Sequence, residues 1–302
     1  MDYREVTTED QTKSWSIGCV PVAVIMISLN EGHNMRDVLE NLKGWAQEVF
    51  LVDSFSSDDT LEIAKEYGVK VIQNSFKGFG DQWNFALSQL PIASPWTMKL
   101  DPDERLTEAL KENIQVEIQS NKSNGMIIKR HLFFMGEILP IRQNILRIWK
   151  TGSCHFTDVS VNEHPIVEGK KIHIDGDLEH HDSPDLDHWF EKQNRYSTYE
   201  AIIAYSDANL ADRPVLLGTT FQRRMWLKKN FSKLPFRFIL LFVYYYLVKG
   251  LWRSGRVGYI WSRLRVDIMR YREYKHFEMK KLGCIYSKSY MYKKTNDNKA
   301  IQ

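Results

Sequence analysis

Val20–Asn30 reads VPVAVIMISLN, a near-continuous apolar run rich in β-branched residues. A strand with one solvated face alternates polar and apolar residues. This one has no polar face to give to water, so it predicts a central parallel strand covered on both sides. Asn34 to Gly44 follows, with Met35, Val38, Leu39 and Leu42 at helical spacing and a glycine at the end. EVFLVDS, Glu48–Ser54, is a second strand. SSDDTLEIAKEYG then opens on capping residues and closes at Gly68, which marks a helix. Val69–Gln73 and Trp96–Leu100 are further strands on either side of a loop and helix at Gly78–Leu90, and Thr107–Gln119 is again helical.

This alternation predicts an α/β fold with a doubly wound, mostly parallel sheet and right-handed crossovers. Such sheets bind ligands outside the carboxyl ends of their strands. Three of those ends carry distinctive polar groups: Asn30-Glu31, Asp53-Ser54 and Asp101-Pro102-Asp103. Past Asn124 the pattern turns to short strands and then an amphipathic helix at Leu186–Tyr205.

Charge is divided along the chain. Phe221–Gln302 holds 20 Lys and Arg against 4 Asp and Glu, leaving 21 against 34 in residues 1–220. A basic tail on an acidic body suits a phosphate-bearing surface. Its apolar run FILLFVYYYLV, Phe238–Val248, has 11 residues, too few for a hydrocarbon core that takes about 20. With Arg237 before it and Lys249, Trp252, Arg253 and Arg256 after it, the segment reads as lying in a membrane interface; a core or dimer helix is the other reading. Cys19, Cys154 and Cys284 make neither a disulfide framework nor a zinc pattern, which favours a reducing cytosolic compartment. MDYREVTTEDQTKSWS lacks a signal-peptide layout and reads as a flexible or loosely docked arm.

The chemistry concentrates at LDPDER, Leu100–Arg105. Asp101 and Asp103, two apart at a strand end, can face one Mg²⁺ or Mn²⁺, which take oxygen ligands and keep phosphates as partners. An acidic surface turn is the plain alternative. Glu104 stays open between the acceptor side and solvent, with Arg105 as its ion partner. Asp53 can accept an N–H from a base or a ribose hydroxyl, with Ser56 beside it, or it can simply cap the next helix. Asn30 and Glu31 could meet the same nucleoside. Lys77 could face phosphates, and Gln82 and Asn84 could bond nucleotide or sugar, although GFG is no P-loop. In VNEHP, Glu163 is a candidate general base with His164 as the alternative. Arg142 and Arg147 could neutralise a diphosphate or lie on a positive surface. His155, His173, His180 and His181 show no zinc spacing.

Taken together, LNE…VDS, GFG with Gln82 and Asn84, and LDPDE resemble the inverting family 2 glycosyltransferases of the GT-A fold. RQNILRIWKTG, VNEHP and the LEHHD-to-EKQNRYSTYEA stretch further resemble lipopolysaccharide core glycosyltransferases of the WaaE/KdtX type. The resemblance covers Val22–Ala204. It implies a nucleotide-sugar donor, most simply a UDP-sugar, with Glu31 and Asp53 on the nucleoside. Asp101 and Asp103 would hold the metal on the diphosphate, and Glu163 would be the base. Where the family has His-Glu, this chain has Asn162-Glu163, with the histidine displaced to His164.

The expectation is therefore an N-terminal arm (1–20), a GT-A-type catalytic domain (21–205; nucleotide half 21–105, acceptor half 106–205) and a basic, helical, aromatic-rich extension (206–302). The enzyme would act on a cell-envelope glycan or glycolipid at the cytoplasmic membrane's inner face, without nucleic acid, the extension binding membrane or forming a homodimer. The alternatives are a sugar-phosphate nucleotidyltransferase and a non-enzymatic module binding anionic lipid or nucleic acid.

Overall fold

A computed structural model describes residues 3–5, 13–157, 164–205, 215–218, 222–223, 226 and 230–286. The chain divides into two compact units, the first comprising Met1–Phe133 and Arg142–Asp182, the second Phe134–Ile141 and Ser183–Gln302.

Strands β1 (Tyr3–Glu5), β2 (Val20–Ser28), β3 (Ala46–Asp53), β4 (Lys70–Asn74), β5 (Trp96–Lys99), β6 (Glu104–Leu106), β7 (Gly125–Phe134), β8 (Glu137–Lys150) and β11 (Lys171–His181) form one sheet in the order β1-β4-β3-β2-β5-β8-β7-β11-β6. β9 (Cys154–Phe156) and β10 (Pro165–Val167) pair in a separate ribbon. Helices α1 (Gly32–Leu42), α2 (Thr60–Glu66), α3 (Phe79–Gln89) and α4 (Glu108–Ser120) follow β2, β3, β4 and β6. β4, β3, β2 and β5 are parallel neighbours, as the alternation requires. The remainder is mixed: β5–β8 and β6–β11 are antiparallel, and β7–β11 is parallel. Part of the expected N-terminal arm, Tyr3–Glu5, is an edge strand antiparallel to β4.

VPVAVIMI, Val20–Ile27, is apolar throughout because successive side chains of β2 enter two cores. Val22, Val24 and Met26 pack in a cluster with Met35, Val38, Leu39 and Leu42 of α1, Ile63 of α2, and Leu110 and Ile114 of α4. Ala23 and Ile25 face the other way, among Phe50, Val52, Trp149, Phe156, and Trp83 and Ala86 of α3. Trp83 is fully buried, stacked on Phe156 at 5.5 Å.

Between Ile174 and Asp177 the β7–β11 register shifts, leaving Asp175 and Gly176 without partners on β7. Gly176 has φ +105°, and a Cβ there would meet the Leu110 Cα at 2.6 Å. Thr107 ties α4 to this bulge. Its hydroxyl donates to the Asp177 carbonyl (2.9 Å) and accepts from the Leu110 N–H (3.4 Å) as the helix cap.

The second unit holds α5 (Leu186–Tyr205), α6 (Arg237–Val243), a π turn (Tyr244–Val248) and α7 (Gly255–Leu282), so the basic extension is helical as expected. α5 and α7 are joined by polar contacts: Lys275 Nζ donates to the Asn194 carbonyl (2.9 Å) and to the Ser197 and Thr198 hydroxyls (2.8 Å each).

Because Ile25 is fully buried between sheet and α3, Ile25→Ala should lower unfolding free energy by about 2–5 kcal/mol, read from urea unfolding midpoints with an unchanged m-value.

Candidate active site

The sheet brings the carboxyl ends of β2, β3 and β5 side by side, at the point where the strand order reverses. Two loops interlock there. Asn30, at φ +58°, turns the chain out of β2, and its Oδ1 accepts from the Ser57 N–H (2.8 Å). The first amides of α1 are satisfied from the other loop: Glu31 N donates to Thr60 Oγ1 (2.9 Å) and Gly32 N to Asp58 Oδ2 (3.0 Å). Helix α1 is thus capped by the segment after β3 rather than by its own preceding residue. Glu31 is half-buried and accepts from Asn34 Nδ2 at 2.9 Å.

Asp53 is fully buried at the end of β3. Oδ1 accepts from the hydroxyls of Ser28 (2.9 Å) and Ser56; Oδ2 accepts from Ser56 N (2.9 Å) and Gln73 Nε2 (3.0 Å). Two bonds per oxygen use the carboxylate's lone pairs. A base N–H reaching Asp53 therefore has to replace one of these donors.

Arg147 is buried, and its Nη2 donates to Asp101 Oδ2 (2.7 Å) and to Glu104 Oε1. Arg130 Nη1 donates to the same Glu104 oxygen at 3.0 Å. Glu104 closes the turn: Asp101 N donates to its Oε2 (3.0 Å), and Glu104 N returns a bond to the Asp101 carbonyl (2.9 Å). Burial acts to raise the Asp101 pKa, but the Arg147 and Lys99 charges outweigh it and hold the carboxyl down at about 2.

Asp103 points elsewhere. Its Oδ2 lies 3.2 Å from His180 Nε2, which lies 3.8 Å from Asp182 Oδ1. Donor atoms of Asp103, His180 and Asp182 all fall within 4.8 Å of one another. The short ladder between β6 and β11 makes this meeting, with Glu104 opposite His180 and His181 N donating to the Asp103 carbonyl at 2.8 Å. Burial acts to lower the His180 pKa, and the Asp103 carboxylate reverses that, so the net shift is upward. Two carboxylates and an imidazole fit a divalent cation. The imidazole suits Mn²⁺ better than Mg²⁺, which prefers oxygen alone.

Several expectations need correction. Asp101 is not one of the Asp103, His180 and Asp182 donor atoms that group within 4.8 Å; its carboxylate accepts from Arg147 instead. Glu104 faces neither acceptor nor solvent, being fully buried beneath two arginines. Arg105 is not its ion partner: the guanidinium donates to the carbonyls of Pro102 (2.6 Å), Glu104 (2.8 Å) and Asn34 (3.0 Å). Arg147 lies inside and Arg142 is exposed, so the two do not form one positive face. Gln82 is buried and engaged with Asn74 (2.8 Å) and Ser54 (3.3 Å), and both amide atoms of Asn84 bond the Phe156 backbone (3.0 and 2.8 Å). Lys77 is exposed in the loop before α3, and His164 is exposed at the entry to β10. Asn162 and Glu163 lie outside the described residues. Sequence reasoning missed His180 and Asp182 as neighbours of Asp103. The signal was LEHHD: on a strand, Leu178 and His180 share a face.

Residues 23–159 match the family model Glycosyl transferase family 2. The chain is 28% identical over 253 residues to the lipopolysaccharide core biosynthesis glycosyltransferase LpsC of Rhizobium meliloti, covering 80% of this chain and 86% of that protein. It is 25% identical over 196 residues to the uncharacterized glycosyltransferase RT0209 of Rickettsia typhi, covering 60% of this chain and 66% of the relative. Among solved structures, the mannosyltransferase PcManGT from Pyrobaculum calidifontis, in complex with GDP-Man and Mn²⁺, aligns over 88% of this chain and 91% of its own, with 14% identity and a TM-score of 0.49.

Removing Arg147 would take from Asp101 its guanidinium partner at 2.7 Å and leave Glu104 with Arg130 as its guanidinium partner. Arg147→Met should destabilise the fold by about 3–5 kcal/mol in denaturant titrations. Asp101 is a depressed carboxyl, so its stabilisation is full above its ordinary pKa of about 3.9 and is lost as pH falls through the folded-state value. Without Arg147 the Asp101 carboxyl is no longer held down, so the fall in stability on acidification below its ordinary pKa should be smaller in Arg147→Met than in the wild type.

Proposed function

With a glycosyl transferase family 2 domain spanning residues 23–159 as the premise, we propose that this glycosyltransferase moves a sugar, with inversion, from a nucleotide donor to a hydroxyl of a cell-envelope glycan or lipid-linked glycan. The observation that carries the site assignment is the Asp103–His180–Asp182 group directly after the switch-point strand β5. The family match favours this reading over a sugar-phosphate nucleotidyltransferase or a non-enzymatic module. The likeness to LpsC supports the envelope acceptor.

The nucleoside sits over the ends of β2 and β3, where Asn30, Glu31, Asp53 and Ser56 converge. UDP is the first donor to test. Asp103, His180 and Asp182 would hold Mn²⁺ or Mg²⁺ beside the diphosphate, and Asp101 stays ionised under Arg147 and shapes the turn. The cation supplies Lewis-acid neutralisation of the leaving diphosphate. Lys77 and Arg142, both exposed, are available to its outer oxygens. Glu163, with His164 the alternative, takes the acceptor hydroxyl's proton as that oxygen attacks the anomeric carbon from the face opposite the departing nucleoside diphosphate. One C–O bond forms as the other breaks, and alignment of the two substrates supplies much of the rate.

No described helix is long and apolar enough to cross a membrane. An envelope acceptor would suit a peripheral position at the inner face of the cytoplasmic membrane, a homodimer through the extension being the competing arrangement.

The test is transfer from a panel of sugar nucleotides with Mn²⁺, Mg²⁺ or EDTA. Asp103→Asn and His180→Ala should each cut kcat by about 10²-fold or more while the far-UV circular dichroism stays native. Undiminished transfer in EDTA would sink the metal assignment.

A further inference from the structure

We propose that one face of the second unit, along α6 and its π turn, inserts into the headgroup region of an anionic bilayer. This rests on the membrane setting just proposed, and not on the identity of donor or acceptor. Phe236, Ile239, Leu240, Val243, Leu247 and Val248 recur at helical spacing, and all are between 39% and 76% exposed. The opposite face of the same segment is the packed one: Phe242 meets Tyr259 at 5.7 Å, and Tyr245 meets Trp261 at 5.2 Å. The outward stripe is therefore not a core face awaiting α7. A continuous apolar stripe of this length is unusual on a surface and marks a partner.

Charge selects the partner. From Asn230 to Arg256 the chain carries Lys233, Arg237, Lys249, Arg253 and Arg256 and no acidic residue. Lys233, Lys249, Arg253 and Arg256 are all exposed at the two ends of the stripe. Trp252, 51% exposed, and Tyr244, 42% exposed, add amphipathic rings of the kind that settle at headgroup level. A second copy pairing on this face by a two-fold axis would set these cationic rims against like rims. Anionic lipid meets both features at once, with acyl chains under the stripe and phosphates at the rims.

The experiment is vesicle flotation of the full chain, with phosphatidylcholine alone and with phosphatidylcholine plus phosphatidylglycerol. The wild type should float with the anionic vesicles, with a blue shift of tryptophan emission. Leu240→Glu/Leu247→Glu and Lys249→Glu/Arg253→Glu should each weaken that binding by about tenfold or more. Both pairs are exposed, so circular dichroism and sugar-nucleotide thermal shifts should stay at wild-type values. A wild type that does not float overturns the inference, as does flotation unchanged in the leucine variant. So does a dimer, seen by light scattering, that the leucine variant splits. Loss of donor binding in a wild type that still floats would instead count against the transferase reading.

Discussion

The guanidinium of Arg147 is the contact on which the site depends. Asp101 and Glu104 lie three residues apart in one turn and would repel each other beneath the sheet edge. Arg147, from β8, neutralises both, and Arg130, from β7, adds a second positive charge against Glu104. Buried charges are tolerated when paired and hydrogen-bonded, and a missing partner is strongly destabilising. With its two neighbours fixed in this way, Asp103 has little freedom, and its carboxylate is delivered to His180.

The loops after β2 and β3 are built by a different device. Asp53 gathers donors from Ser28, Ser56 and Gln73, and the loop it anchors supplies the caps of α1. The two loops are therefore not independent. A ligand that displaces Ser56 from Asp53 also disturbs Asn30, whose N–H donates to the Ser56 hydroxyl at 2.8 Å. A change at one strand end is therefore passed to the backbone of the next.

The α/β half was legible because its signals are local. A run such as VPVAVIMIS can be satisfied only by two covering layers, and Met35, Val38, Leu39 and Leu42 mark the helix that covers one of them. The strand-end positions of Asp53 and Asp101 followed from the same reading. What stayed hidden depends on distant partners. His180 is 77 residues from Asp103, and nothing local couples them. Glu104 reads as a surface residue until two arginines from later strands arrive above it. Gln82 and Asn84 have the chemistry of ligand contacts, yet backbone and neighbouring amides claim them. β6 has only three residues, too few to carry a period.

The bulge in β11 gives the Asp103–His180–Asp182 group an origin in length as well as chemistry. β11 passes two residues unpaired against β7 before its Leu178–His180 stretch pairs with β6, and that pairing sets His180 opposite Glu104, beside Asp103. Each residue of slip would carry the imidazole about 3.3 Å along the sheet and turn the neighbouring side chain to the opposite face. The position of His180 is thus a ruler reading along the backbone, zeroed at Gly176 where α4 leaves no room for a Cβ. Substitutions far from any donor atom, in the Gly176 turn or in the Thr107 cap that grips it, can re-select which of Glu179, His180 and His181 stands opposite the turn.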